Sequence, residues 1–153
     1  EASARILALS RSHSSLWRPG ADADATVQSI AVQVLEPYIE THAGRIRITG
    51  SSHTLDFRLV QILSLIFHEL ATNAAKYGAL SHERGRVTIS SPASGPDTVD
   101  VVWEETGVAA YEDNGQKGFG SELIDRLIST AGGRLSRTFE EGKMTASMRF
   151  ATA

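Results

Sequence analysis

Residues 57–77 constrain this chain more than any other segment. Leu59, Leu63, Ile66, Phe67, Leu70 and Ala74 fall on one arc, which predicts one long helix from Phe57 to about Tyr77 with a single buried face. Gly78 stands where such a helix would end. Beside the apolar arc the same helix carries Glu69, Asn73 and Lys76. At about 100° per residue, Asn73 lies about 40° from Glu69 and Lys76 about 20° to the other side, so three polar groups share a narrow stripe. Asparagine offers a neutral oxygen to a hard cation, lysine a point charge to phosphates, and glutamate a base. Glutamate and lysine are also ordinary residues on a solvated helix edge, and on spacing alone that reading stays ahead.

The rest of the chain bounds the context of that helix. Its 153 residues are one domain's worth of chain, with 41% hydrophobic and 22% charged residues, as in soluble globular proteins. The absence of cysteine excludes disulfides, iron–sulfur clusters and thiolate zinc sites, and fits a reducing, cytoplasmic setting. A net charge of −3 gives no general attraction to nucleic acid, and no apolar run approaches a membrane span.

Periodicity and turn signals divide the chain further. A helix is expected over Glu1–Trp17, closed by Arg18-Pro19-Gly20. A second helix, capped by Asp24 or Thr26, carries Val27, Ile30, Val34 and Leu35 and is expected to stop near Pro37. Strands are expected at Arg45–Thr49 and His53–Asp56, before the long helix, and at Arg86–Ser90 and Thr98–Glu104 after it. Gly107–Gly118 has no usable periodicity and reads as a mobile loop. A helix over Ser121 to about Ala131 and strands at Arg134–Phe139 and Met144–Phe150 complete the order. Helices interspersed with strand pairs favour a two-layer α/β sandwich over a parallel βαβ sheet.

Two short segments border the loop. Glu105-Thr106-Gly107 follows a strand, and Gly118-Phe119-Gly120 opens the next helix. Glycines at a helix N-terminus let backbone N–H groups reach phosphate oxygens, and a carboxylate is an acceptor for an exocyclic amine. Each is weak by itself.

Glu69-Leu70-x-x-Asn73-Ala74-x-Lys76 resembles the N-box of the ATPase/kinase superfamily that unites DNA gyrase, the heat-shock chaperone of that fold, sensor histidine kinases and mismatch-repair ATPases. His68 before the glutamate, Tyr77-Gly78-Ala79-Leu80-Ser81 after it, and Trp103-Glu104-Glu105 further on resemble the HWE branch of the histidine kinases. The resemblance covers about residues 5–150. It implies the Bergerat-type ATP-binding fold, a mixed sheet with helices on one face, over 22–153. Residues 1–18 would be the C-terminal part of a dimerisation hairpin.

The resemblance also implies roles. Asn73 would hold Mg²⁺ and Lys76 would neutralise phosphate charge. Glu105 would select adenine. Gly107, Gly118 and Gly120 would admit the nucleotide, with Tyr77 and Phe119 beside it. Lys117, at the end of an ATP lid spanning Val108–Lys117, would reach the phosphates. Glu69 would orient or deprotonate the nucleophile, while His68, which defines the branch, borders the site. The branch's Trp-x-Glu-x-Gly-Gly-Pro departs here to Val108-Ala109 at its last two positions. His13 is not expected to be the phosphoacceptor, because the Arg and Lys-Asn neighbours usual after that histidine are absent. The acceptor is expected upstream, and the partners implied are that hairpin, a response-regulator receiver domain and a second copy of the kinase. An ATP-hydrolysing conformational switch and a degenerate domain without nucleotide remain alternatives.

Overall fold

The computed structural model describes residues 25–50, 53–108 and 119–151. In chain order the elements are α1 (Val27–Thr41), β1 (Ile46–Ile48), α2 (Phe57–Lys76), a 3-10 turn (Ala79–Ser81), β2 (Arg86–Ser90), β3 (Thr98–Thr106), α3 (Phe119–Thr130), β4 (Arg134–Glu140) and β5 (Lys143–Ala151). The sheet order is β1-β2-β3-β5-β4. The β1–β2 pair is parallel and every other pair antiparallel, so the sheet is mixed.

One face of that sheet is covered and the other is wet. Along β3, Val99, Val101, Trp103 and Glu105 are buried while the residues between them are partly exposed. β5 repeats the alternation, with Ala146, Met148 and Phe150 inward and Ser147 and Arg149 outward. Helix α2 packs between α1 and α3 in the covering layer. Leu63, Ile66 and Phe67 of α2 are fully buried, as are Ile30 and Leu35 of α1. Each such side chain contributes about 1.5–3 kcal/mol of transfer free energy, so this shared apolar seam outweighs the exposed ion pairs on the wet face. The expected two-layer α/β sandwich is the observed architecture.

Several boundaries differ from the sequence reading. His53–Asp56 forms no strand. Asp56 instead caps α2, its carboxylate accepting from the Leu59 N–H at 2.9 Å, and helix capping prevailed over a weak strand pattern that found no sheet partner. Helix α1 does not stop near Pro37 but continues through it to Thr41. Proline removes one helical donor. The last turn is held nonetheless, because the Thr41 hydroxyl donates to the Pro37 carbonyl at 2.9 Å and the His42 N–H to the Tyr38 carbonyl at 2.8 Å. Tyr38 and Ile39, beyond the proline, pack on the core. Thr26, not Asp24, is the N-cap, in a reciprocal capping box with Ser29. Strand β3 runs through Thr106, so Glu105 lies within the strand and not after it. The expected Glu1–Trp17 helix, the 1–18 segment and His13 lie outside the described residues.

Candidate functional site

The polar stripe of α2 runs from the interior to the surface. Glu69 and His68 are 4% and 5% exposed, Asn73 is partly buried, and Lys76 and Tyr77 are exposed. The three stripe residues thus present graded access along one helix edge: a largely buried glutamate, a half-buried asparagine at the rim and an exposed lysine. Lys76 occupies the last turn of α2, where a cation complements the helix dipole. The backbone ends there too, the Asn73 carbonyl accepting from the N–H groups of Tyr77 at 2.8 Å and Gly78 at 3.1 Å.

Glu105 meets the end of α2 from the sheet. Its side chain is 3% exposed, and a buried carboxylate is costly unless it is hydrogen-bonded. The Trp103 indole donates to Oε2 at 2.8 Å, and the Ala79 backbone N–H donates to Oε1 at 2.9 Å. Residues two apart on a strand share a face, so Trp103 and Glu105 both point toward the helices. Trp103 is itself fully buried and stacks on Phe67 of α2, ring centroids 6.4 Å apart. Gly78 completes this cradle, since a Cβ there would fall inside contact distance of the Glu105 carboxylate.

Arg45 fixes the turn that supplies the Ala79 amide. Its guanidinium donates to the carbonyls of Gly85 at 2.8 Å, Ala79 at 3.0 Å and His82. His42 also faces it at 3.3 Å through Nδ1, and because guanidinium only donates, that nitrogen is the acceptor. Burial first, and then the Arg45 charge, hold the His42 pKa below its ordinary value.

At the far end of β3, Gly107 has φ +83°, and a Cβ there would run into the Arg84 carbonyl. The fold therefore has its own need for this glycine. Its N–H donates to the Gly142 carbonyl at 3.2 Å. Val108, read from the sequence as the start of the mobile lid, is instead 4% exposed and part of the core. Burial of its apolar side chain accounts for a valine at this position. Phe119 and Gly120 open α3, while Lys117 and Gly118 lie outside the described residues.

The structure thus brings Glu105 against the 78–79 turn, which directly follows the end of the α2 stripe. Sequence reasoning missed the Ala79 amide, the Arg45 clamp and the direct contact of Trp103 with Glu105. The last had a readable signal in the i, i+2 spacing on a strand. The first two depend on contacts between segments 26 and 34 residues apart in the chain.

No protein-family model matches the chain. It is 36% identical over 150 residues to blue-light-activated histidine kinase 1 of Erythrobacter litoralis, covering 95% of this chain and 41% of that protein. It is 35% identical over 130 residues to the blue-light-activated histidine kinase of Brucella ovis, covering 83% of this chain and 26% of that one. The chain therefore spans well under half the length of these relatives. Among solved structures, the histidine kinase domain of an Erythrobacter litoralis blue-light-activated histidine kinase superposes with a TM-score of 0.75 at 14% identity, covering 95% of this chain and 78% of that one. In sequence the chain is thus similar to part of these histidine kinases, and its fold is that of a histidine kinase catalytic domain.

Proposed function

We propose that this chain is the ATP-binding catalytic domain of a two-component sensor histidine kinase. The observation that carries the reading is the buried Glu105 carboxylate, held where β3 meets the turn at residues 78–79 that directly follows the helix bearing Asn73 and Lys76. A carboxylate offers only acceptors, which suits the exocyclic amine of adenine and not the carbonyl that guanine carries there. Asn73 at the rim supplies one neutral oxygen ligand. Among the described residues no three His, Cys, Asp or Glu side chains form a metal site of their own. A lone protein oxygen fits Mg²⁺, which keeps several waters and is shared with substrate phosphates. Bound Mg²⁺ would neutralise phosphate charge.

In this reading Lys76 contributes a mobile positive charge to the phosphates, and Glu69 orients or deprotonates the incoming histidine nitrogen. Tyr77, Gly107, Lys117, Gly118, Phe119 and Gly120 line the nucleotide. The γ-phosphoryl passes to a histidine on a dimerisation hairpin and then to a response-regulator aspartate, in a kinase that is a homodimer. Such transfer depends on positioning and charge neutralisation more than on covalent chemistry.

The test is calorimetric binding of ATP with and without Mg²⁺, to the wild-type chain and to Asn73→Ala. The variant is expected to lose about 1–3 kcal/mol with Mg²⁺, about 5- to 150-fold in Kd, and far less without it. Equal loss in both conditions would assign Asn73 a structural role, and absence of any ATP binding by the wild-type chain would overturn the reading.

A further inference from the structure

We propose that Trp103 is a positioning residue for base selection, acting through Glu105; the inference rests on the ATP-binding reading above. A glutamate side chain has three rotatable bonds and, unrestrained, presents its oxygens in many directions. Here the two oxygens accept from different donors, the Trp103 indole N–H at 2.8 Å and the Ala79 amide at 2.9 Å. One donor per oxygen fixes both the depth and the plane of the carboxylate.

Both donors are themselves immobile. The Trp103 ring is fully buried against Phe67, and the Ala79 amide belongs to a turn clamped by Arg45. Gly78 leaves room for the carboxylate on the turn side. A donor bound at each oxygen sets the plane and direction in which the carboxylate can meet a further donor. The length of the side chain also follows from this arrangement. A glutamate reaches the turn at residues 78–79 and the indole two positions back on its own strand, and an aspartate, one methylene shorter, cannot span to both. The tryptophan is therefore the complement of a glutamate at 105. Its indole N–H does directional work that the stacking of its ring on Phe67 does not require.

The experiment measures Kd for Mg·ATP and Mg·GTP in the same chain, with thermal denaturation alongside. Three chains are compared with the wild type: Trp103→Phe, a chain with 3-benzothienylalanine at 103, which keeps the bicyclic shape and replaces N–H by sulfur, and Val101→Ala. Val101 is fully buried on the same face of β3, so its truncation reports packing loss by itself. The Kd(GTP)/Kd(ATP) ratio is expected to fall about tenfold in both Trp103 replacements, the equivalent of one lost orienting hydrogen bond. Val101→Ala is expected to lower the melting temperature and leave the ratio alone. An unchanged ratio in the benzothienyl chain overturns the positioning role, whether or not Trp103→Phe folds. A ratio that falls equally in Val101→Ala also overturns it, because the effect would then be general loosening. A wild-type chain that binds both nucleotides without preference overturns the adenine reading itself and this inference with it.

Discussion

Substituting glutamine at 105 removes an obligate acceptor from a place where two N–H groups converge. Each oxygen of the native carboxylate accepts one of them, from Trp103 and Ala79. A glutamine must turn its NH₂ toward one of the two, leaving a buried donor facing a donor. Glu105→Gln is therefore expected to cost about 1–3 kcal/mol of stability, read from urea unfolding, as well as shrinking the preference for ATP over GTP. A variant as stable as the wild type would mean that the carboxylate is not held as described. Lys76 is the opposite case at the same scale. It is exposed, so a stability effect well below 1 kcal/mol is expected for its removal, and its contribution belongs to binding.

Between elements, the Arg45 guanidinium ties the start of the β1 segment to the 79–85 turn through three backbone carbonyls. Arg45→Met keeps much of the stem and removes all of these donors. An unfolding loss of about 1–3 kcal/mol is expected, with faster hydrogen exchange at the Ala79 amide. Protection of Ala79 at the wild-type level would show that the turn holds its shape without the clamp. On the wet face, Asp100 of β3 faces Arg149 of β5 in register and is bound by it at 2.7 and 2.8 Å. That hydrogen bonding, reinforced by the arginine charge, holds the Asp100 pKa below its ordinary value. A depressed carboxyl pKa stabilises the fold fully above the unfolded value, about pH 4, and the contribution is lost as pH falls through the folded value. Asp100→Asn should therefore melt below the wild type at neutral pH, with the gap closing as the pH drops under about 4. A gap independent of pH would count against the ion pair.

At the scale of the whole molecule, the proposed function separates nucleotide binding from phosphoryl acceptance. His13 lacks the sequence neighbours of an acceptor. Incubated with labelled ATP and Mg²⁺, the chain is expected to carry no stable phosphate on His13 and to phosphorylate a separately supplied acceptor hairpin slowly. Slowness follows from the lost effective concentration of a tethered acceptor. Acid-labile phosphate mapped to His13 would make the chain its own substrate. Steady phosphate release with no transfer to a hairpin would favour an ATP-hydrolysing switch.

The sequence by itself determined the elements whose physics is local. The α2 helix, its apolar arc and its polar stripe follow from periodicity, while capping chemistry narrowed the start of α1 to Asp24 or Thr26. The element order was also enough for the two-layer class. Only the tertiary structure decided how accessible each stripe residue is, because the burial of Glu69 and the exposure of Lys76 depend on what packs above the helix and not on its angular spacing. It also decided the course of α1 through Pro37, where core contacts of Tyr38 and Ile39 outweigh a missing donor. Most of all it decided the surroundings of Glu105. Its two partners come from its own strand and from a turn 26 residues earlier, and only folding brings that turn, clamped by an arginine further back still, against the sheet. A carboxylate's direction is set by the donors around it, and one of those donors was too distant in sequence to be read there.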